Sequence, residues 1–255
     1  MNDIDGIFKL LEDWRKLPAY QLERRADIYF AYFLPEIIRE QFNLKEDIKY
    51  FQIIPELPLR KTKNEKKYGS VKVDYAVFTK ETLYLIELKT TLNSLDIKQV
   101  ENLKKKIKGD PESKEGREKS RKSPEEIIGD IYDIRYSPNS NKTKYKYLLN
   151  RLRMIPGVCH IPDIDGKKAD ICVNQSNIEI VYILPINPKS NSKKAVNDHV
   201  DEVIDFFKVR TAINNSKLFK NKRDRKLVKY FCASLKKWEE DEKILDGIRI
   251  KRQKL

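Results

Sequence analysis

The residues best suited to chemistry are two acids and a lysine set inside segments that otherwise read as buried strands. Asp74 lies in Val71-Lys72-Val73-Asp74-Tyr75, and Glu87 and Lys89 lie in Tyr84-Leu85-Ile86-Glu87-Leu88-Lys89. Strand alternation puts Leu83, Leu85, Glu87 and Lys89 on one face and Tyr84, Ile86 and Leu88 on the other. Both faces begin apolar, so the strand is expected to be covered on both sides, with its charges emerging at one end. Burying unpaired charge is costly. Holding a divalent cation beside a phosphate would be a reason to do so.

Register sharpens this expectation. The two segments read as a hairpin turning around Thr79-Lys80-Glu81-Thr82. If Thr79 opposes Thr82, then Phe78 opposes Leu83, Ala76 opposes Leu85 and Asp74 opposes Glu87. Directly opposed residues bring their Cβ atoms to about 4.5–5.5 Å on one face. Carboxylates that close repel unless they share a cation. Magnesium suits such a pair, because it takes oxygen ligands and keeps several waters. A one-residue slip would send Asp74 to the other face, and Lys80-Glu81 is not a favoured tight-turn pair.

Asp74 followed by Glu87-Leu88-Lys89 resembles the signature of the PD-(D/E)XK nuclease superfamily, with Val73 standing where the family name has proline. The surroundings resemble its restriction-endonuclease-like fold. A helical segment over residues 23–34 precedes a first strand over 51–59, and a helix containing 96–103 follows the hairpin. A later strand over 178–184 and a helix from about His199 to Phe207 complete an αβββαβ core. The resemblance covers roughly residues 20–105 and 177–207. It implies an α/β (α+β) protein, with a mixed central sheet flanked by helices, a helical insertion and a helical C-terminal extension.

The resemblance also implies roles. Asp74 and Glu87 would be metal ligands, the carbonyl of Leu88 would offer a third, and Lys89 would orient the attacking water or steady charge at the phosphate. The family often adds an acid from the first helix. Glu23 and Asp27, one turn apart on one face, are both candidates, though an exposed cap or ion pair with Arg24 or Arg25 explains Asp27 equally well. The implied cofactor is Mg2+ or Mn2+. Apart from the resemblance, a metal polarises phosphoryl oxygens and lowers the pKa of water, and a nearby lysine stabilises developing charge. Gln99, on the next helix, could add an amide hydrogen bond.

Composition points the same way. The 255 residues carry 53 Lys and Arg against 39 Asp and Glu, a formal net charge of +14, which favours a polyanionic partner through counterion release. Lys72, Thr90, Thr91, Lys98, Lys144, Lys146 and Arg151 are the candidates to meet nucleic acid. Tyr145 and Tyr147 interleave with the last three as basic and stacking groups do on single strands, a pattern that an amphipathic core helix also produces. The three cysteines, Cys159, Cys172 and Cys232, show no paired spacing. They fit a reduced cytoplasmic compartment and structural thiols better than a disulfide framework or a zinc site. No secretory leader or membrane-length apolar run is visible, and no membrane partner is expected.

The chain divides into an N-terminal helix (1–21), a first core part (22–105), a charged and helical insertion (106–176), a core strand and helix (177–207) and a basic helical extension (208–255). Pro35 marks a kink or boundary within a helix over about 22–42. Residues 155–177 read as a hairpin or loop, and 248–255 as a short strand or a frayed tail. Asp163, Asp165 and Asp170 lack the pattern of a calcium loop, and His199 lacks a nucleophile motif. The expected function is a divalent-metal-dependent nuclease, a DNA endonuclease of a defence, repair or mobile-element system, acting as a homodimer or with a partner protein. The alternative is a catalytically silent nucleic-acid-binding subunit that keeps the nuclease fold within a larger assembly.

Overall fold

Strand β3 (Thr82–Leu88) must lie at the centre, because it is apolar on both faces. Leu83, Leu85, Tyr84, Ile86 and Leu88 are all buried, and a strand of this composition needs cover on each side. The computed structural model, which describes residues 3–15, 21–60, 70–109, 122–134, 141–162, 171–186, 196, 198, 200–219 and 221–252, supplies that cover with helices. The protein is an α/β structure built on a five-stranded mixed sheet, its strands lying in the order Gln52–Arg60, Ser70–Phe78, Thr82–Leu88, Asn177–Leu184 and Glu202–Asp205.

Strands β1 (Gln52–Arg60) and β2 (Ser70–Phe78) run antiparallel, and β2 pairs antiparallel with β3. The hairpin register is the expected one, with Phe78 opposite Leu83 and Ala76 opposite Leu85. Its turn is closed by the Thr79 N–H donating to the Thr82 carbonyl at 3.0 Å. From β3 the chain passes through α3 (Ile97–Lys108), α4 (Pro124–Ile134), α5 (Lys142–Arg153) and a small hairpin, β4 (Val158–Cys159) and β5 (Cys172–Val173). It returns as β6 (Asn177–Leu184), parallel to β3.

One face of the sheet is aliphatic. Leu83, Leu85 and Ile180 pack with Leu103 and Ile107 of α3, Ile128 and Ile131 of α4, and Leu152 of α5. The other face is aromatic. Here Tyr84, Ile86 and Ile183 meet α2 (Leu22–Gln41), α6 (Phe206–Asn215), α7 (Lys222–Arg252) and α1 (Asp3–Trp14). The Phe231 ring sits 5.1 Å edge-on from Phe30 and 5.3 Å stacked on Phe33, arrangements favoured by the ring quadrupole.

Three expectations need correction. Residues 202–205 of the expected final core helix form β7 (Glu202–Asp205), a fifth strand parallel to β6, and α6 begins only at Phe206. The Asp205 carboxylate caps that helix by accepting from the Lys208 N–H at 2.9 Å, the usual service of an N-cap acid. Residues 248–252, read as a strand or frayed tail, continue α7 to Arg252. Pro35 does not divide its helix, because α2 runs unbroken from Leu22 to Gln41. His199 and the three aspartates 163, 165 and 170 lie outside the described residues.

Candidate active site

Asp74 occupies a point where the sheet is opened on both sides. The β2–β3 ladder closes at Tyr75 opposite Ile86. Beyond it, the Leu88 N–H donates to Asp74 Oδ2 at 2.7 Å. On the β1 side, pairing holds at Pro55–Tyr75 and at Leu57–Val73. Glu56 between them has φ 53, a left-handed conformation uncommon for glutamate. The end of β3 is instead fixed by β6, through the Lys89 N–H donating to the Ile183 carbonyl at 2.9 Å. A carboxylate thus replaces the backbone at the hairpin's open end.

Glu87 and Lys89 follow from β3 on the same strand face, and Glu23 arrives from the first turn of α2. The Lys89 Nζ lies 3.0 Å from Glu87 Oε2, 3.8 Å from Asp74 Oδ2 and 3.9 Å from Glu23 Oε1. Glu87 is 2% exposed and Lys89 is 7% exposed. Three carboxylates therefore surround one ammonium, with formal negative charge in excess.

That excess shows in the ionisation of each group. Burial, and then the neighbouring Asp74 charge, push the Glu87 carboxyl up to about 7 against the attraction of Lys89. Burial likewise raises Asp74 and Glu23, outweighing Lys89 in each case. For Lys89, burial alone would lower the value, but Glu87, Asp74 and Glu23 together hold it above the ordinary lysine range. The cluster favours an added positive charge, whether a proton or a cation.

The donor chemistry, hard carboxylate oxygens only, fits magnesium or manganese. Among the described residues, however, no group of three or more His, Cys, Asp or Glu side chains is arranged to hold a metal. The Lys89 ammonium stands among the carboxylates instead.

The other expected residues fall at varying distances from this centre. Asp27 is exposed, its Oδ1 accepting from the Ile28 N–H at 2.6 Å, while its carbonyl accepts from the Tyr75 hydroxyl at 2.7 Å. Of the two first-helix acids, Glu23 is the one that reaches Lys89. Gln99 is half-buried on α3 with no hydrogen bond to the cluster. Leu88 contributes its N–H to Asp74. Thr90 is buried beside Glu23, and Thr91 Oγ1 caps the short turn at Leu92–Ser94 by accepting from the Ser94 N–H. Lys72 pairs with Glu56. Lys98 is exposed on α3, and Lys144, Lys146 and Arg151 are exposed on α5.

Two participants escape a reading of the sequence. Glu56 adds its negative charge to Asp74, and nothing local in Ile54-Pro55-Glu56-Leu57 announces its left-handed backbone. Tyr182 pairs with Glu87 across the parallel β3–β6 ladder, and its buried hydroxyl has no hydrogen-bond partner among the described residues. Only the inter-strand register could have found it. Beside the cluster, a cleft of about 650 Å³ shares Glu23 and Thr90 with it and extends past Arg24 and Ser94 to Trp238 of α7. Among the described residues, no helix is long and apolar enough to cross a membrane. Comparison with protein-family models, with curated proteins and with solved structures returned no match.

Proposed function

We propose that this protein is a divalent-cation-dependent nuclease of the PD-(D/E)XK kind, hydrolysing phosphodiester bonds in nucleic acid, with DNA as the preferred substrate. The observation that carries this reading is the gathering of Glu23, Asp74 and Glu87 around Lys89 at the open end of a hairpin. Such a concentration of buried charge is destabilising without a task. The formal charge of +14 favours a polyanionic substrate.

Asp74 and Glu87 would hold the cation, with Glu23 and the Leu88 carbonyl available to complete its shell. When bound, the cation supplies Lewis-acid polarisation of the phosphoryl oxygen and a lowered pKa for water. The chain's own residues do the rest. Lys89, relieved of its carboxylate partners, turns its charge to the phosphate, where positive charge lowers the barrier as negative charge builds. Glu87 gives up the proton that burial lets it keep near neutral pH, so cation binding releases protons and tightens as pH rises through about 7.

Lys89 also competes with the cation for the carboxylates. Lys89→Met is expected to abolish cleavage while raising Mn2+ affinity, read by titration calorimetry. Unchanged or weaker Mn2+ binding in the variant would overturn the competition.

The deciding experiment incubates the protein with plasmid and single-stranded DNA, with Mg2+ or Mn2+ and with chelator, beside Asp74→Ala and Lys89→Ala. Metal-dependent cleavage lost in both variants supports the proposal. Equal cleavage by wild type and variants assigns the activity to a contaminant. A second reading, a silent nucleic-acid-binding subunit of a larger assembly, is favoured by one observation: Lys89 already serves the carboxylates as their cation. Binding without cleavage by the wild type would select it.

A further inference from the structure

We propose that Cys159 and Cys172 form a redox-active dithiol site that closes to a disulfide on meeting a disulfide oxidant such as oxidised glutathione. This inference is independent of the nuclease reading. The two residues are direct partners across the β4–β5 hairpin, so their side chains leave the same face. The Asn174 N–H donates to the Gly157 carbonyl at 2.8 Å. Hydrogen-bonded pairs alternate along an antiparallel ladder, so Cys159 and Cys172, two positions on, form another such pair, with Cα atoms about 5.5 Å apart. That spacing lies within the disulfide window and near its commonest value. Cys159 Sγ already approaches the Cys172 carbonyl at 3.7 Å.

The register that aligns them is held on two counts. Val158 and Val173, the adjoining pair, are buried in the aliphatic core, so a one-residue slip of either strand would turn its valine out of that core. Gly157 has φ +83, and a Cβ there would stand 2.9 Å from the Cβ of Asn174, so the turn into β4 takes glycine and closes tightly on β5. Both thiols are free, Cys172 exposed and Cys159 partly so, and the ladder ends with this pair.

The chemistry balances with the oxidant supplied. The Cys172 thiolate, the more accessible, attacks one glutathione sulfur, breaking the S–S bond and releasing one glutathione thiolate. The Cys159 thiolate then attacks the Cys172 sulfur of this mixed disulfide and releases the second glutathione. Two protein thiols are oxidised, one glutathione disulfide is reduced, and the two cysteine protons end on the two glutathione thiols. Exchange of this kind passes through thiolates and favours accessible sulfurs. Cys172 beside it holds the Cys159 thiol above its ordinary value, consistent with Cys172 attacking first.

Cys232 is the internal control, because burial pushes its thiol up to about 11 and it lies on α7 beside Asn214. The full chain is equilibrated in glutathione buffers from reducing to oxidising, quenched with iodoacetamide in denaturant so that every remaining thiol is reached, and mapped as non-reduced peptides. The expected result is a loss of two hydrogens in mass, a cross-linked Cys159–Cys172 peptide and an alkylated Cys232. In Cys159→Ser, Cys172 should instead carry glutathione. A lasting glutathione adduct on wild-type Cys172, an intermolecular dimer, or alkylation of both thiols across the whole range would each overturn the proposal.

Discussion

The two ends of the β2–β3 hairpin solve opposite problems with the same backbone. At the turn, threonine hydroxyls and backbone groups close on one another. Thr79 Oγ1 donates to the Thr82 carbonyl at 2.9 Å, the Thr82 N–H returns to Thr79 Oγ1, and Gln175 Nε2 donates to the Thr79 carbonyl. At the open end the ladder stops, a carboxylate takes over the Leu88 N–H, and the ionisable side chains of Glu87 and Lys89 are buried. One end is built for stability. The other carries a desolvation cost of the kind that buried acids and bases at functional sites commonly carry.

Substitutions that exchange these characters test the contrast. The largest effect is expected for Asp74→Ala or Lys89→Ala, which should lower metal-dependent DNA cleavage on the order of 10²–10³-fold or more, measured as initial rates on plasmid. Retained cleavage would remove the open end from catalysis.

Glu87→Gln comes next and should act in opposite directions on activity and stability. The Glu87 value is raised from 4.5 to about 7, so near pH 6 the folded chain keeps a proton that the unfolded chain has released. Its stabilising contribution is complete below pH 4.5 and is lost as pH rises through about 7. The neutral variant should therefore be more stable than wild type above pH 7, by roughly 1–3 kcal/mol, and lose that advantage towards pH 4.5. Thermal melts across this range check it, and a variant less stable at alkaline pH contradicts it.

Smaller effects separate the two helix acids. Glu23→Gln should reduce cleavage about tenfold, corresponding to about 1.4 kcal/mol, while Asp27→Asn leaves it within about twofold. Equal losses would place both acids in the site. The smallest effect belongs to the turn, where Thr79→Val should cost about 1 kcal/mol of stability through its lost hydrogen bonds and leave cleavage unchanged. A fall in cleavage without a fall in stability would erase the distinction between the ends.

Much of this contrast is legible in the sequence because hairpins are local. The short Thr79–Thr82 turn joins two apolar segments and fixes the pairing from Phe78–Leu83 to Tyr75–Ile86, and that register continued one step brings Asp74 towards Glu87. Helix starts are also local, with Asp96 and Asn141 each accepting a backbone N–H in the first turn of α3 and α5. Non-local decisions are hidden. Glu202-Val203-Ile204-Asp205 carries the apolar residues of a helix as readily as those of a strand, and only β6 alongside decides for the strand. Glu23 and Asp27 share one helical face, and depth alone selects between them. The facing of Cys159 and Cys172 is hidden for the same reason, since the pair is made by strands twelve residues apart in sequence.

The packing of α1 against α7 sets an order of events during synthesis. Phe8 rests against Tyr230 and Phe231, Trp238 Nε1 donates to Glu12 Oε1 at 2.9 Å, and Arg15 bridges to Asp241 at 2.6 Å. At about 5–20 residues per second, the nascent first helix waits roughly 10–45 s for these partners to leave the ribosome. Throughout that interval Phe8 has Tyr29 of α2, 4.9 Å away, as its early aromatic neighbour, and its contacts with Tyr230 and Phe231 wait for α7.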